Sequence, residues 1–379
     1  MIFGARIEQA REFRGLTQSD LAQRLGVEQA SVSMIERGAF SPSTALVDAL
    51  AAHLGFSSSF FEREPLPGFS LGTLDFRARA DTGARAKKQA YQYACLVFEA
   101  AVFLSRRLRT PQQRLTLLEG DAEQAARRCR SELGLSPDSP IVNLTDSLER
   151  AGIFVFALPD LFPGCDGFSA RGVIGSKVVP AIFVSATAPG DRARLTVAHE
   201  VGELTLIDMP IGREREKAAN RFAGALLMPE DGFRKALVPP VSIQDLAELK
   251  RYYGVSIQSA LVRAFQLEII SDRRYRSLYK QIGIAGWRTN EPVKIAFEKP
   301  RGLSKMAELV YGEQVNIRAF ADDLSLPPVF VRQLLSAHAS KSDLRGIVKR
   351  RRADIIPLAA YAQKNVESKS ERFKDAGEA

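Results

Sequence analysis

The chain has 379 residues, of which 53 are basic and 44 acidic, and its formal net charge is +9 at pH 7. At about 100–200 residues per domain this length favours two or three domains, and 45% apolar residues beside 26% charged residues exclude global disorder. The most apolar stretch, residues 93–104, is too short to cross a bilayer, and three cysteines cannot form a fully paired disulfide framework. We therefore expect a cytoplasmic protein with sizeable cores and no membrane partner.

The charge is unevenly distributed along the chain. Residues 1–64 carry a net charge of −2, whereas the tail from Lys341 to Ala379 carries +4. A positive balance of this size is compatible with a nucleic-acid partner, but it is equally typical of solvated basic surfaces. Charge alone therefore does not identify a partner.

The first 64 residues predict a compact domain of short helices. Apolar residues recur there at helical spacing, and the short connecting segments contain glycine. The next segment, residues 65–75, contains two prolines and two glycines and predicts a domain boundary. Residues 1–64 are therefore expected to form a domain of their own.

Residues 16–38 predict a helix-turn-helix. Thr17 is a good N-cap residue, and Asp20 three positions later completes a capping box. Gly26 permits a tight turn before a second helix from about Glu28 to Gly38. Two short helices joined in this way can place the second helix in the DNA major groove, although a helical interaction module that binds no DNA has the same geometry.

Small and amide side chains on the second helix are suited to reading base edges. Gln29 can pair with adenine, while Ala30 and Met34 can contact a thymine methyl group. The residues expected to contact DNA are Gln18, Gln29, Ala30, Ser31, Ser33, Met34 and Arg37.

The stretch from Arg6 to about Phe61 resembles the Cro/CI-type helix-turn-helix of the XRE regulator family. It contains that family's elements R-I-x-x-A-R, L-T-Q-x-x-L-A and V-S-x-I-E-R-G. The resemblance implies a five-helix, lambda-repressor-like domain that binds a double-stranded DNA operator. Because this domain is acidic overall, we expect phosphate contacts from few cations, chiefly Arg11, Arg14 and Arg37, supported by the basic stretch 77–88.

The rest of the chain predicts a mainly helical α+β fold. Residues 65–139 are expected to form a basic helical linker or dimerisation region. Within residues 140–285, β-branched and aromatic runs at 152–157 and 178–184 predict strands of a small sheet. Residues 286–379 are expected to be helical, with a basic and partly mobile tail.

A second motif lies on a helix predicted for about 190–207. There the sequence ARLTVAHEVGELTL places His199 and Glu203 at positions i and i+4, on one helix face, with Glu200 beside them. In H-E-x-x-H metallopeptidases two histidines bind zinc and the glutamate is the general base. Here the fifth position is Glu, and the spacing alone favours an ordinary polar helix face over a metal site.

The segments RARLTVAHEVG and EKAANRFAGALLMP, within residues 140–230, resemble the ImmA/IrrE metallopeptidase family. The resemblance implies a zincin-like domain, which we place at 140–285, and a third ligand on the later helix. Glu216 is the preferred position and Glu214 the alternative. Glu200 would be the catalytic base if the domain is an active enzyme.

The donor set His199, Glu203 and Glu216 differs in charge from that of an active peptidase. Two His and one Glu leave bound zinc with a charge of +1, whereas one His and two Glu leave it neutral. A neutral centre raises the pKa of bound water and weakens zinc binding. Three interpretations stay open, namely a metal-free remnant, a metal-bound sensor or structural site, and an active peptidase.

The function expected from these observations is a DNA-binding transcriptional regulator, a dimeric repressor with a degenerate metallopeptidase-like sensory or interaction domain. A small-molecule inducer or a protein partner would act on that domain, and any zinc would bind weakly. The alternatives are a site-specific metalloprotease that cleaves a regulator or itself, and the antitoxin of a toxin–antitoxin pair. His53 and His338 are expected to be packed or surface residues rather than ligands.

Overall fold

The computed structural model describes residues 1–66, 83–111, 113–114, 121–159, 166–174, 177–206 and 212–338. These residues contain seventeen α-helices and three β-strands. The mainly helical α+β class is confirmed. The expected mobile tail lies outside the described residues, as does most of the boundary segment 65–75.

Five short helices form the N-terminal domain, as predicted. They are α1 (Gly4–Phe13), α2 (Gln18–Leu25), α3 (Gln29–Glu36), α4 (Thr44–Leu54) and α5 (Ser58–Phe61). The Thr17 side chain accepts from the backbone N–H of Asp20, and the Asp20 carboxylate accepts from that of Thr17, so the capping box is present. Gly26 ends α2 with φ of 68°, a left-handed conformation that favours glycine.

A three-stranded sheet follows a set of helices, α6 (Ala84–Ser105), α7 (Ala122–Glu132) and α8 (Leu144–Arg150). Its strands are β1 (Phe154–Leu158), β2 (Gly167–Ile174) and β3 (Lys177–Ser185), in the order β1–β3–β2. The central strand β3 runs parallel to β1, with Phe154 opposite Ala181, and antiparallel to β2, with Phe168 opposite Phe183.

The helices after the sheet form two groups. The first contains α9 (Gly190–Thr205), α10 (Arg213–Leu227), α11 (Glu230–Ala236), α12 (Ile243–Tyr253), α13 (Ile257–Gln266) and α14 (Asp272–Ile284). The second contains α15 (Gly302–Tyr311), α16 (Ile317–Leu324) and α17 (Pro328–His338). The sequence predicted a helix at about 190–207, and α9 matches it to within two residues at each end.

The sheet separates two hydrophobic cores. On one face, Val155 and Ile182 pack with apolar residues of α9 and α10. On the other face, Phe156 and Phe183 belong to a core that includes α6, α15 and α17 and continues into the N-terminal domain. Alternate residues of each strand point to opposite faces, so both faces of this small sheet are buried.

The N-terminal domain is docked on the rest of the chain rather than tethered to it. The Phe13 and Phe330 rings lie edge to face with centroids 5.4 Å apart. The buried Arg6 guanidinium donates to both carboxylate oxygens of Glu99 on α6 at 2.8 and 2.9 Å. Twelve of the 22 residues of α6 are buried within the chain, so that face of the helix is not available to a second subunit.

Candidate nucleic-acid interface and metal centre

Helix α3 presents a row of polar and small side chains on its outer face. Gln29, Ala30, Met34 and Arg37 are exposed, whereas Val32, which packs inward, is buried. The two other candidates on this helix are half-buried, and they are Ser31 and Ser33. This distribution leaves the predicted reading face of α3 open to a groove of the duplex.

A hydrogen-bonded chain connects that face to the interior of the domain. Gln29 donates to the Gln18 side chain at 2.6 Å, and Gln18 donates to the Glu36 carboxylate at 2.8 Å. The same carboxylate accepts from the buried Arg11 guanidinium at 2.6 and 3.0 Å. The chain holds the Gln29 amide in one orientation before any ligand binds, and a side chain that is already ordered loses less entropy on binding.

The expected role of Arg11 as a phosphate contact is wrong. Its side chain is buried, and it also donates to the backbone carbonyl of Leu16. The Arg11 guanidinium pairs there with Glu36, which is also buried, and a buried carboxylate is costly unless a cation is paired with it. Arg14 donates to the carbonyls of Leu54 and Gly55, so its guanidinium is also engaged within the domain.

The basic stretch 77–88 contributes fewer available cations than its composition indicates. Residues 77–82 lie outside the described part of the chain. In the remainder, Arg85 pairs with Asp20 at 3.4 Å and Lys88 pairs with Glu12 at 2.7 Å. Of the three arginines predicted to contact phosphate, Arg11, Arg14 and Arg37, only Arg37 is exposed.

Helices α9 and α10 pack closely and bring the second motif together. Gly202 permits this contact, since a Cβ atom there would lie 3.0 Å from the Phe222 ring and 3.2 Å from the Ala219 Cα. His199 Nε2 lies 3.8 Å from Glu203 Oε1 and 3.5 Å from Glu216 Oε2. The donor atoms of all three residues lie within 4.8 Å of one another.

The structure distinguishes the two glutamates proposed for α10. Glu216 faces His199 and accepts a hydrogen bond from Asn220 at 3.2 Å, one turn later on the helix. Glu214 is exposed and pairs instead with Lys217 at 2.7 Å. The geometry therefore places Glu216, and not Glu214, in the cluster.

Sequence reasoning missed Arg215. Its Nε lies 2.7 Å from Glu203 Oε2, and its terminal nitrogen donates to the Glu203 backbone carbonyl at 2.6 Å. The guanidinium is mostly buried, with a side-chain exposure of 12%. The only sequence signal is the alternating run REREK around the candidate acids, which does not show which basic residue turns inward.

Comparison with known proteins gives two matches to family models and one similar regulator. Residues 2–59 match a helix-turn-helix domain, and residues 148–265 match an IrrE N-terminal-like domain. An uncharacterized HTH-type transcriptional regulator of Methanothermobacter thermautotrophicus is 41% identical over 49 residues, which is 13% of this chain and 71% of that protein.

The chain belongs to the helix-turn-helix transcriptional regulators. This regulator also carries an IrrE N-terminal-like domain, as the resemblance to the ImmA/IrrE family implied. DNA is the partner that its N-terminal domain indicates. Within the described residues, no helix is both long and apolar enough to cross a lipid bilayer.

The donor set of the regulator does not fit the catalytic zinc of a metallopeptidase. One imidazole and two carboxylates are close enough together to hold a divalent ion. One carboxylate oxygen of Glu203 is, however, paired with Arg215, which competes with a metal for that ligand. Glu200 is fully buried on α9 next to His199. The positions of the motif's side chains are thus retained, while the charge balance of the cluster favours an internal ion pair.

Proposed function

We propose that this regulator reads an operator duplex with the exposed face of α3 and represses transcription as a two-fold dimer. The observation that carries the proposal is the fixed orientation of Gln29, which is hydrogen-bonded through Gln18 and Glu36 to buried Arg11. An amide held in this way can donate to and accept from the major-groove edge of adenine with little further ordering.

Dimeric binding follows from the size of the reading surface. One helix of this length reaches only a few base pairs, and helix-turn-helix proteins gain specificity by placing two such helices about one helical turn apart. Closed two-fold symmetry is the commonest oligomeric arrangement. The operator is therefore expected to be a pseudo-palindrome.

The IrrE-like domain is proposed to be a sensory or interaction module without peptidase activity. Its Glu203 replaces an imidazole ligand, and Arg215 neutralises the replacing carboxylate. The surrounding core does not depend on a metal, because Val197, Phe222 and Leu226 are buried in apolar packing. The domain can therefore keep its shape while the centre lacks a catalytic ion.

A site-specific metalloprotease is the second candidate, and one observation favours it. His199, Glu203 and Glu216 still converge, beside buried Glu200, where a peptidase would hold its ion and its base. Cleavage of the chain itself or of a partner protein would support this candidate if it disappears in Glu200→Gln, which removes the base and keeps the shape.

The experiment that tests the regulator proposal is selection of duplexes from a random pool by the full chain. We expect enrichment of a pseudo-palindrome with half-sites about one helical turn apart, bound by a dimer. Weaker operator binding by Gln29→Ala, with Gln23→Ala as the exposed control on α2, would place the contact on α3. An asymmetric site bound by a monomer, or no enriched duplex, would contradict the proposal.

A further inference from the structure

A cavity of about 880 Å³ lies between the end of α6, strands β1 and β3, and helix α15. It is separate from the cluster on α9 and α10, since none of His199, Glu203 and Glu216 lines it. Its volume is in the range of pockets that hold drug-sized ligands. Neither the DNA-binding surface nor the peptidase-like motif accounts for it.

The walls of this cavity are largely apolar. Phe154 and Phe156 from β1 line it beside Met306 from α15. At its edge Leu309 and Val178 are 74% and 53% exposed, although both are large apolar residues. Exposed apolar side chains grouped around a concave surface are typical of a surface that a ligand covers.

The charged residues of the cavity leave a net cationic character. Asp146 is paired with Arg150 at 2.7 Å. Glu149 accepts hydrogen bonds from the backbone N–H groups of Arg301 and Gly302 at the start of α15, but its burial outweighs them and raises the pKa of this carboxyl, which disfavours a negative charge there. The other two charged lining residues are Arg109 and Lys305.

Arg109 and Lys305 are the cations available to a ligand. Both are exposed, and among the described residues Lys305 is near enough to Glu149 for an electrostatic interaction with that buried carboxyl. A ligand that satisfied both the apolar walls and these cations would need an apolar body and an anionic end. Such an anion could form charge-assisted hydrogen bonds with either side chain.

We infer that this cavity is the effector site of the regulator and that it binds a small amphipathic carboxylate. The apolar part would lie against Phe154, Phe156 and Met306, and the carboxylate would lie near Arg109 and Lys305. The effector role rests on the proposed function, whereas ligand binding itself does not.

Helix α6 connects the cavity to the DNA-binding domain. Its last turn lines the cavity through Ser105. Earlier in the same helix, Lys88 and Gln92 donate to the Glu12 carboxylate at 2.7 and 2.8 Å. Glu12 adjoins Arg11, the buried end of the hydrogen-bonded chain to Gln29. A ligand that shifts α6 would therefore alter the support of the reading face.

Calorimetric titration of the full chain with sodium decanoate tests the binding step in the absence of DNA. We expect one saturable site and at least about tenfold weaker binding by Arg109→Glu and by Lys305→Glu, which reverse a charge. Arg273→Glu and Lys280→Glu are matched controls, since these exposed cations lie on α14 and should leave binding unchanged. Decyltrimethylammonium, with the same apolar tail and the opposite charge, should not bind.

Three results would overturn the inference. The first is absence of decanoate binding, and the second is equal binding by the cavity and control variants. The third is decanoate binding that leaves the affinity for the selected operator unchanged, because an effector must bind the two states of a regulator differently. Failure of the proposed function would appear elsewhere, as absence of any selected duplex with or without decanoate.

Discussion

The DNA-reading face of α3 and the cluster of His199, Glu203 and Glu216, called here the IrrE-like centre, differ in how far neighbouring residues support the chemistry that each sequence motif predicts. In the N-terminal domain, Gln29 is held by Gln18, and the capping box and left-handed Gly26 are both in place. In the IrrE-like centre, His199 and Glu216 lie where the motif requires them, but Arg215 is paired with the residue that replaces the second imidazole. A motif therefore predicts position, and its surroundings decide which chemistry is available.

The largest expected effect is on the buried ion pair beneath the reading face. Arg11→Ala leaves the Glu36 carboxylate buried without its cation, which should lower the free energy of unfolding by about 3–5 kcal/mol. Chemical denaturation of the full chain measures this change. Arg24→Ala is the control, since that side chain is exposed on α2 and should cost little.

The same pair of variants tests the correction to the phosphate contacts. If Arg11→Ala keeps wild-type stability but reduces the salt dependence of DNA binding, Arg11 is a phosphate contact and the buried assignment is wrong.

The buried contact between helix α17 and strand β1 predicts a pH dependence of stability. His338 on α17 is fully buried, its Nδ1 lies 2.7 Å from the Leu334 carbonyl, and its Nε2 accepts from the Ala157 N–H of β1 at 3.1 Å. Burial lowers its pKa to about 4 from an ordinary value of 6.5. Between these values the unfolded chain binds a proton that the folded chain does not, so stability falls as pH decreases.

This loss should reach about 3 kcal/mol from pH 6.5 to pH 4, and be absent above pH 6.5. Denaturation at several pH values should show a shallower dependence for His338→Gln than for the wild-type chain. His53→Gln, which removes an exposed histidine, should retain the wild-type slope. Equal slopes for all three proteins would show that His338 is not held neutral by the fold.

The next effect separates base reading from phosphate binding on α3. Gln29→Ala should cost about 1–3 kcal/mol at its cognate base pair and relax specificity there. Arg37→Ala should weaken binding uniformly across sequences and reduce the salt slope by about one. Binding measured on the operator and on single-base variants at several salt concentrations distinguishes them. If Gln29→Ala weakened binding to all of these duplexes equally, Gln29 would not be a residue that reads a base.

The local elements of the fold could be predicted because their signals are local. Thr17, Asp20 and Gly26 determine the ends of α2 through bonds and angles within a few residues. The choice of Glu216 came from the resemblance to the ImmA/IrrE family, and in the structure Asn220, one helical turn later, donates to its carboxylate. These predictions needed no knowledge of distant parts of the chain.

The features that could not be predicted from the sequence depend on long-range contacts, such as which long side chains turn inward. Arg11 has the composition of a DNA contact, and only the buried position of Glu36 shows that it lies inside. Arg215 is one of several alternating charges on α10, and its partner Glu203 lies on another helix. The cavity beside β1 combines α6 and α15, which are far apart in the sequence. Short-range periodicity carries no information on such pairings.

The most direct test of the contrast between the two regions is the zinc affinity of the full chain, measured by competition with a chromogenic chelator. The wild-type chain should bind zinc weakly and be purified without stoichiometric metal. Glu203→His combined with Arg215→Ala should bind at least about tenfold more tightly, because an imidazole replaces a carboxylate and the competing cation is removed. Arg213→Ala, which removes an exposed neighbour, should leave the affinity unchanged. Stoichiometric zinc in the wild-type chain, held as tightly as in the double variant, would contradict the account.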